Sequence, residues 1–183
     1  MAKVVNIVAS MRLTDSIDVN AVADELMIPY EQEQFPGMVY RVTDPKVCLL
    51  FRSGKAVATG AKTVDAVHIA FQRLREDLTN HDFTLWPEKD CEMNLHNIVM
   101  TSDLSGAVKG KIDLSNLMLY LPFDKTEYEP EQFPGLIYRL DDPSVVFLIF
   151  SSGRCVITGA TTFEEAEMAE AILKDELNIF INA

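Results

Sequence analysis

The chain has 183 residues, 48% hydrophobic and 24% charged, with a net charge of −12, a balance ordinary for a soluble globular protein of one domain or two joined halves. No run approaches the ~18 apolar residues of a membrane span, so the protein is expected in the cytoplasm. Cys48, Cys91 and Cys155 show no CxxC spacing and read as reduced thiols, and the acidic total taken alone argues against a phosphate-rich partner.

In chain order, Asn6–Leu13 is apolar and partly alternating and reads as a strand. Asp15 or Ser16 is expected to cap a short helix over Asp18–Leu26, closed by Pro29. Ile28–Glu33 reads as a short strand, Phe35-Pro36-Gly37 as a tight connection, and Met38–Thr43 as the next strand. Asp44-Pro45 turns into a hairpin of Val47–Arg52 and Lys55–Gly60. Thr63 and Asp65 open a long helix to Asn80, with Val64, Val67, Ala70, Phe71 and Leu74 on one face. His81–Asn94 is a polar connection. The order then repeats: strand Leu95–Leu104, loop Ser105–Lys111, helix Asp113–Leu121, strands Thr126–Glu129, Leu136–Leu140, Val145–Ser151 and Arg154–Gly159, and helix Phe163–Asn178. Each half reads β-α-β-β-β-β-α.

The repeat is also literal. YEQEQFPG at Tyr30–Gly37 returns as YEPEQFPG at Tyr128–Gly135; YRVTDP at Tyr40–Pro45 returns as YRLDDP at Tyr138–Pro143; SGKAVATGA at Ser53–Ala61 returns as SGRCVITGA at Ser152–Ala160. Matched motifs in constant order mean a duplicated fold unit, with repeats at residues 1–91 and 92–183 forming one pseudo-twofold domain.

Charge is uneven. Tyr40–Lys62 holds five bases (Arg41, Lys46, Arg52, Lys55, Lys62) and one acid, whereas Thr162–Ala183 holds six acids and one base. In Val145–Phe150 every residue is apolar, so both strand faces are apolar. Two helices per half cover one face. The other is left for a partner, for a second copy, or for closure of the sheet on itself. Catalysis has little support: His68, His81 and His96 are scattered without spaced metal-binding partners, and Glu164 and Glu165 are consecutive on a helix. Neither a cofactor nor a metal is expected.

On NIV at Asn6–Val8 and Asn97–Val99, the doubled YExEQFPG and the doubled SG[K/R]xVxTGA, the chain resembles the TATA-box-binding protein family, in its archaeal type. The resemblance implies an α+β saddle, a curved ten-stranded antiparallel sheet with four helices on its convex face. It implies a general transcription initiation factor, not an enzyme, that grips the minor groove of a TATA box, bends the DNA and recruits transcription factor B and RNA polymerase. Phe35, Phe51, Phe133 and Phe150 match the family's intercalating phenylalanines. Asn6, Asn97, Thr59 and Thr158 match its base-contacting polar residues, and Val8, Leu49, Val57, Val99, Leu148 and Val156 its apolar floor. Arg41, Ser53, Lys55, Arg139, Ser152 and Arg154 match positions on the DNA backbone, and Glu129, Glu131 and Gln132 the loop that receives transcription factor B. A homodimer without DNA is a further expectation.

The first copy is one residue shorter between Pro45 and Phe51, and the loss is expected in the turn, because a loss within the strand would flip every side chain after it. Thr161 stands where the first copy has Lys62. Two other readings stay open: a DNA-binding accessory domain of a repair or nuclease enzyme, and a self-associating or small-molecule-binding regulator.

Overall fold

The computed structural model describes residues 2–107 and 110–182. Two positions of the loop expected over Ser105–Lys111, Val108 and Lys109, lie outside the described residues. Two compact units are present: Asn6–His96, and Asn97–Ala183 together with Met1–Val5.

The first unit contains most of β1 (Lys3–Arg12), α1 (Val19–Leu26), β2 (Met38–Thr43), β3 (Lys46–Leu50), β4 (Lys55–Ala61) and α2 (Val64–Asn80). Its strands lie in the order β2-β3-β4-β1, paired antiparallel. The cap of α1 is Asp18, not Asp15 or Ser16: its carboxylate accepts from the Ala21 N–H at 3.1 Å, and Met27 ends the helix in the left-handed region (φ 53°). Thr63 caps α2 by accepting from Ala66 N at 3.1 Å.

The second unit contains most of β5 (Met93–Asp103), then α3 (Leu114–Tyr120), β6 (Thr126–Glu127), β7 (Leu136–Leu140), β8 (Val145–Ile149), β9 (Arg154–Ala160) and α4 (Phe163–Asn182), with strand order β5-β9-β8-β7-β6. The described residues thus hold nine strands and not the expected ten, because residues 28–33 form no strand. Pro29 has no N–H to give a ladder, and the Glu31 carbonyl is taken by a turn, accepting from Gln34 N at 3.0 Å and Phe35 N at 3.1 Å.

Strand alternation sorts the side chains. In β8, Val145, Phe147 and Ile149 are buried while Val146 and Leu148 are half-buried. In β3 and β4, Cys48, Leu50, Ala56 and Ala58 are buried, and Leu49, Val57 and Thr59 are not. The buried set faces the helices: α2 packs on β2, β3 and β4, and α4 on β9. Each large aliphatic or aromatic side chain so buried contributes about 1.5–3 kcal/mol. Burial pushes the Cys48 thiol up to about 12 and the Cys155 thiol up to about 11, so both stay protonated, and all three cysteines are free.

Polar ties join helix to sheet in both units. Tyr40 donates to the Asp77 carboxylate, and Tyr138 donates to Glu176 Oε1 at 3.1 Å. Ser102 donates to Glu170 Oε1 at 2.8 Å, and Lys174 reaches the same oxygen at 2.7 Å. Burial opposes the charged form of Glu170, but these bonds outweigh it and hold its carboxyl below the usual range.

The shorter first copy keeps its register. Arg41 pairs with Val47 and Val39 with Leu49, as Arg139 pairs with Val146 and Ile137 with Leu148. The missing residue is absorbed at the turn, where Thr43 pairs with Lys46 and the ladder shifts between Arg41 and Thr43.

Candidate nucleic-acid interface

Each unit leaves the sheet face opposite its helices open. In the first unit that face carries Asn6, Val8, Leu49, Val57 and Thr59, all half-buried; in the second it carries Asn97, Val99, Leu148, Val156 and Thr158, also half-buried. Val39, Val47, Ile137 and Val146 extend the same faces. No motif singles out these four in the sequence; the alternation of MVYRV and LIYRL carries the signal for Val39 and Ile137, and that of KVCLL and VVFLI for Val47 and Val146 only once the buried parity is known.

The polar centre of each face is built identically. Asn6 Oδ1 accepts from the Gly60 N–H at 2.7 Å, and its Nδ2 donates to Thr59 Oγ1 at 3.2 Å. Asn97 Oδ1 accepts from the Gly159 N–H at 2.7 Å, and its Nδ2 donates to Thr158 Oγ1 at 3.1 Å. The backbone N–H fixes which end of the amide is oxygen. One N–H of each amide then remains to donate outward. Gly60, at φ +91°, cannot be replaced easily, since a Cβ there would lie 2.3 Å from Pro45 O.

At the margin of each face stands an aromatic pair. Phe35 and Phe51 meet edge to face with centroids 6.1 Å apart, and Phe133 and Phe150 do so at 5.9 Å. Phe35 is 44% exposed and Phe133 36%. Apolar rings left in water at a tight turn are costly unless something covers them. The glycine of each Phe-Pro-Gly lies under the pair: a Cβ on Gly37 would be 2.8 Å from the Phe35 ring and 3.0 Å from Phe51, and one on Gly135 2.8 Å from Phe133 and 3.1 Å from Phe150. Phe51 lies on the open side with Phe35, not among the helices.

Arg41, Lys55, Arg139 and Arg154 are exposed. Arg139 is 3.8 Å from Glu127, an exposed pair of small energetic consequence. Ser53 Oγ accepts from Lys55 N and Ser152 Oγ from Arg154 N, each at 3.4 Å, which shapes the two Ser-Gly turns. Glu129, Glu131 and Gln132 are exposed on the turn that leads into Phe133, where the Glu129 carbonyl accepts from Gln132 N and Phe133 N at 3.0 Å. Among the described residues no group of His, Cys, Asp and Glu side chains is arranged to hold a metal ion, and no helix is long and apolar enough to cross a membrane.

Two antiparallel units with helices on one face, and the same open apolar face on each, define the chain as an α+β protein. Comparison with known proteins gives the class. The sequence profile of "Transcription factor TFIID (or TATA-binding protein, TBP)" matches residues 1–81 and 92–179. A TATA-box-binding protein of Haloarcula marismortui is 43% identical over 179 residues, covering 94% of this chain and 91% of its own. That of Methanocaldococcus jannaschii is 46% identical over 169 residues, covering 91% and 88%. A solved structure described as Methanococcus jannaschii TBP superposes with a TM-score of 0.82 at 41% identity, over 96% of this chain and 97% of that one. The chain belongs to the TATA-binding protein family, a family of transcription factors and not of enzymes.

Proposed function

We propose that this protein binds the TATA box in the DNA minor groove, bends the duplex and so starts assembly of the transcription machinery. The duplicated phenylalanine pairs carry the reading: four apolar rings are held at the margins of open apolar faces, two of them on exposed turns. Such rings suit insertion between base steps, which unstacks them and widens the groove. The faces between suit A·T-rich sequence. Adenine N3 and thymine O2 are acceptors that meet the spare amide N–H of Asn6 and Asn97 and the apolar floor of Val8, Leu49, Val57, Val99, Leu148 and Val156. A guanine amino group would lie unpaired against that floor. Thr59 and Thr158 hold the two asparagines in place. Arg41, Ser53, Lys55, Arg139, Ser152 and Arg154 are assigned to backbone phosphates, which set position and not sequence.

The repeats at 1–91 and 92–183 serve in this reading as one DNA-binding domain. The exposed Glu129, Glu131 and Gln132 receive a basic surface of transcription factor B, and RNA polymerase joins through that factor. The work takes place in the cytoplasm, at the nucleoid. Without DNA, the open apolar faces favour pairing with a second copy.

A competition mobility-shift assay tests this reading. A TATA-containing duplex and a G·C-substituted one are titrated from low to high potassium, with and without transcription factor B. Selective retention of the TATA duplex, strengthened by the factor, is expected. Equal affinity for both duplexes at every salt concentration would overturn it.

A further inference from the structure

The two repeats differ at one register position beside their open faces. In the first, Arg12 of β1 lies directly across the ladder from Lys55 of β4. In the second, the same position pairs Asp103 of β5 with Arg154 of β9. Two cations opposite one another on neighbouring strands repel, and both side chains are exposed. Among the described residues no carboxylate lies within ion-pair distance of either. In the second repeat the ladder sets a carboxylate, not a second cation, opposite Arg154; Asp103 Oδ1 accepts from Ser105 N at 3.0 Å and, among the described residues, makes no ion pair.

Arg12 is also held in place. Its Nε donates to Thr14 O at 3.2 Å and its Nη2 to Asp15 O at 3.1 Å. Its guanidinium lies 5.6 Å from the centroid of the Trp86 ring, a contact that stabilises a cation by about 0.5–1 kcal/mol at an exposed site. The Trp86 backbone is itself anchored, its main-chain N–H donating to Leu13 O at 2.8 Å. Two of the five guanidinium donors are used and three remain. Asp90 and Glu92 line the same cleft and oppose an anion there, so a phosphate is held only where it meets Arg12 and Lys55 directly.

We propose that Arg12 joins Lys55 in a two-cation backbone-phosphate site found in the first repeat only; in the second, Arg154 meets its phosphate without a second cation, because Asp103 stands where Arg12 does. The ligand class is a nucleic-acid phosphodiester, and the inference rests on the DNA-binding reading above. It makes the two repeats unequal: the first carries more of the salt-sensitive affinity than the second, which keeps Arg139 and Arg154 but has no counterpart of Arg12. Lys62 against Thr161 and Arg52 against Ser151 differ in the same direction.

The test is fluorescence anisotropy of a labelled TATA duplex with the full chain over a range of potassium chloride. Each phosphate neutralised adds about 0.9 to the magnitude of the log–log salt slope. Arg12→Ala is expected to weaken binding about tenfold at low salt and make the slope shallower by about 0.9, with the preference for TATA over a G·C-substituted duplex unchanged. Asp103→Arg is expected to do the reverse, tightening binding and steepening the slope; it leaves the Arg12–Trp86 packing intact, so it decides the matter even if Arg12→Ala proves unstable. Unchanged slopes in folded Arg12→Ala or in Asp103→Arg would overturn the inference while leaving the DNA-binding reading standing. A wild-type protein with no TATA preference would overturn that reading and this one together.

Discussion

Phe133 and Phe150 meet edge to face with centroids 5.9 Å apart at 68°, and Gly135 lies beneath both rings. Phe133 comes from the turn before β7 and Phe150 follows β8, so the pair depends on the register of that hairpin. In the DNA-binding reading it is a wedge held in shape before the duplex arrives. Phe133→Ala is therefore expected to weaken TATA binding tenfold or more and reduce the bend, since unstacking a base step costs a few kcal/mol that the ring no longer offsets. Stability should move by less than about 1 kcal/mol, because the ring is exposed. Mobility shift and thermal melting check the two halves of this expectation.

Gly135→Ala separates the wedge from its constituents. The added methyl would sit 2.8 Å from Phe133 and 3.1 Å from Phe150, so the rings must move apart. The expected result is a weakened complex from a chain that still has all four phenylalanines, read by anisotropy on the TATA duplex. Affinity equal to wild type would mean that the spacing of the rings does not matter.

Asn97→Asp tests the polar centre. The new carboxylate still accepts from Gly159 N and can accept from Thr158, so the fold should hold. It has no donor for adenine N3 or thymine O2 and adds a charge near them. Loss of an oriented base contact costs about 1–3 kcal/mol, so affinity for TATA duplex should fall tenfold or more. Asn6→Asp should behave alike, because its geometry is the same within 0.1 Å for the glycine and threonine bonds.

Among the described residues, Glu176 is the exception to well-paired burial. Its Oε1 accepts from Tyr138, but Oε2 is buried without a partner. Burial raises its pKa, with the Tyr138 bond opposing in part. The folded state therefore binds this proton more tightly than the unfolded chain does. The stabilisation is present in acid, below the ordinary carboxylate pKa, and is lost as pH rises through the raised folded value. Glu176→Gln is expected to raise Tm at pH 7 by about 2 °C, with the gain shrinking toward pH 4; calorimetry at both pH values measures it.

The duplicated motifs make the repeat legible in the sequence alone, and two-residue spacings such as Leu49–Phe51 and Val57–Thr59 follow the alternation that leaves these side chains half-buried on the open face. What was not legible depended on competition between neighbours or on pairing across the sheet. Asp15, Ser16 and Asp18 are all competent helix caps, and only the path of the backbone selects Asp18. Residues 28–33 carry strand-forming Ile28 and Tyr30, yet Pro29 and the Glu31 turn remove the hydrogen bonds that a strand needs. The contrast between Arg12 and Asp103 lies just beyond the repeated NIV motifs, and it acquires meaning only when the ladders place Lys55 and Arg154 opposite them. Val39 and Ile137 are visible in the alternation but carry no motif, because an apolar side chain on an open face looks like any core residue until its burial is known.

The most direct test of the central claim is fluorescence energy transfer between dyes at the two ends of a short TATA duplex, titrated with the wild-type chain and with the Phe133→Ala/Phe150→Ala double variant. The account predicts a large rise in transfer with wild type, little rise with the variant, and none on a G·C-substituted duplex. Binding of the TATA duplex with no change in end-to-end distance would contradict it, since rings that do not enter the base stack leave the duplex straight.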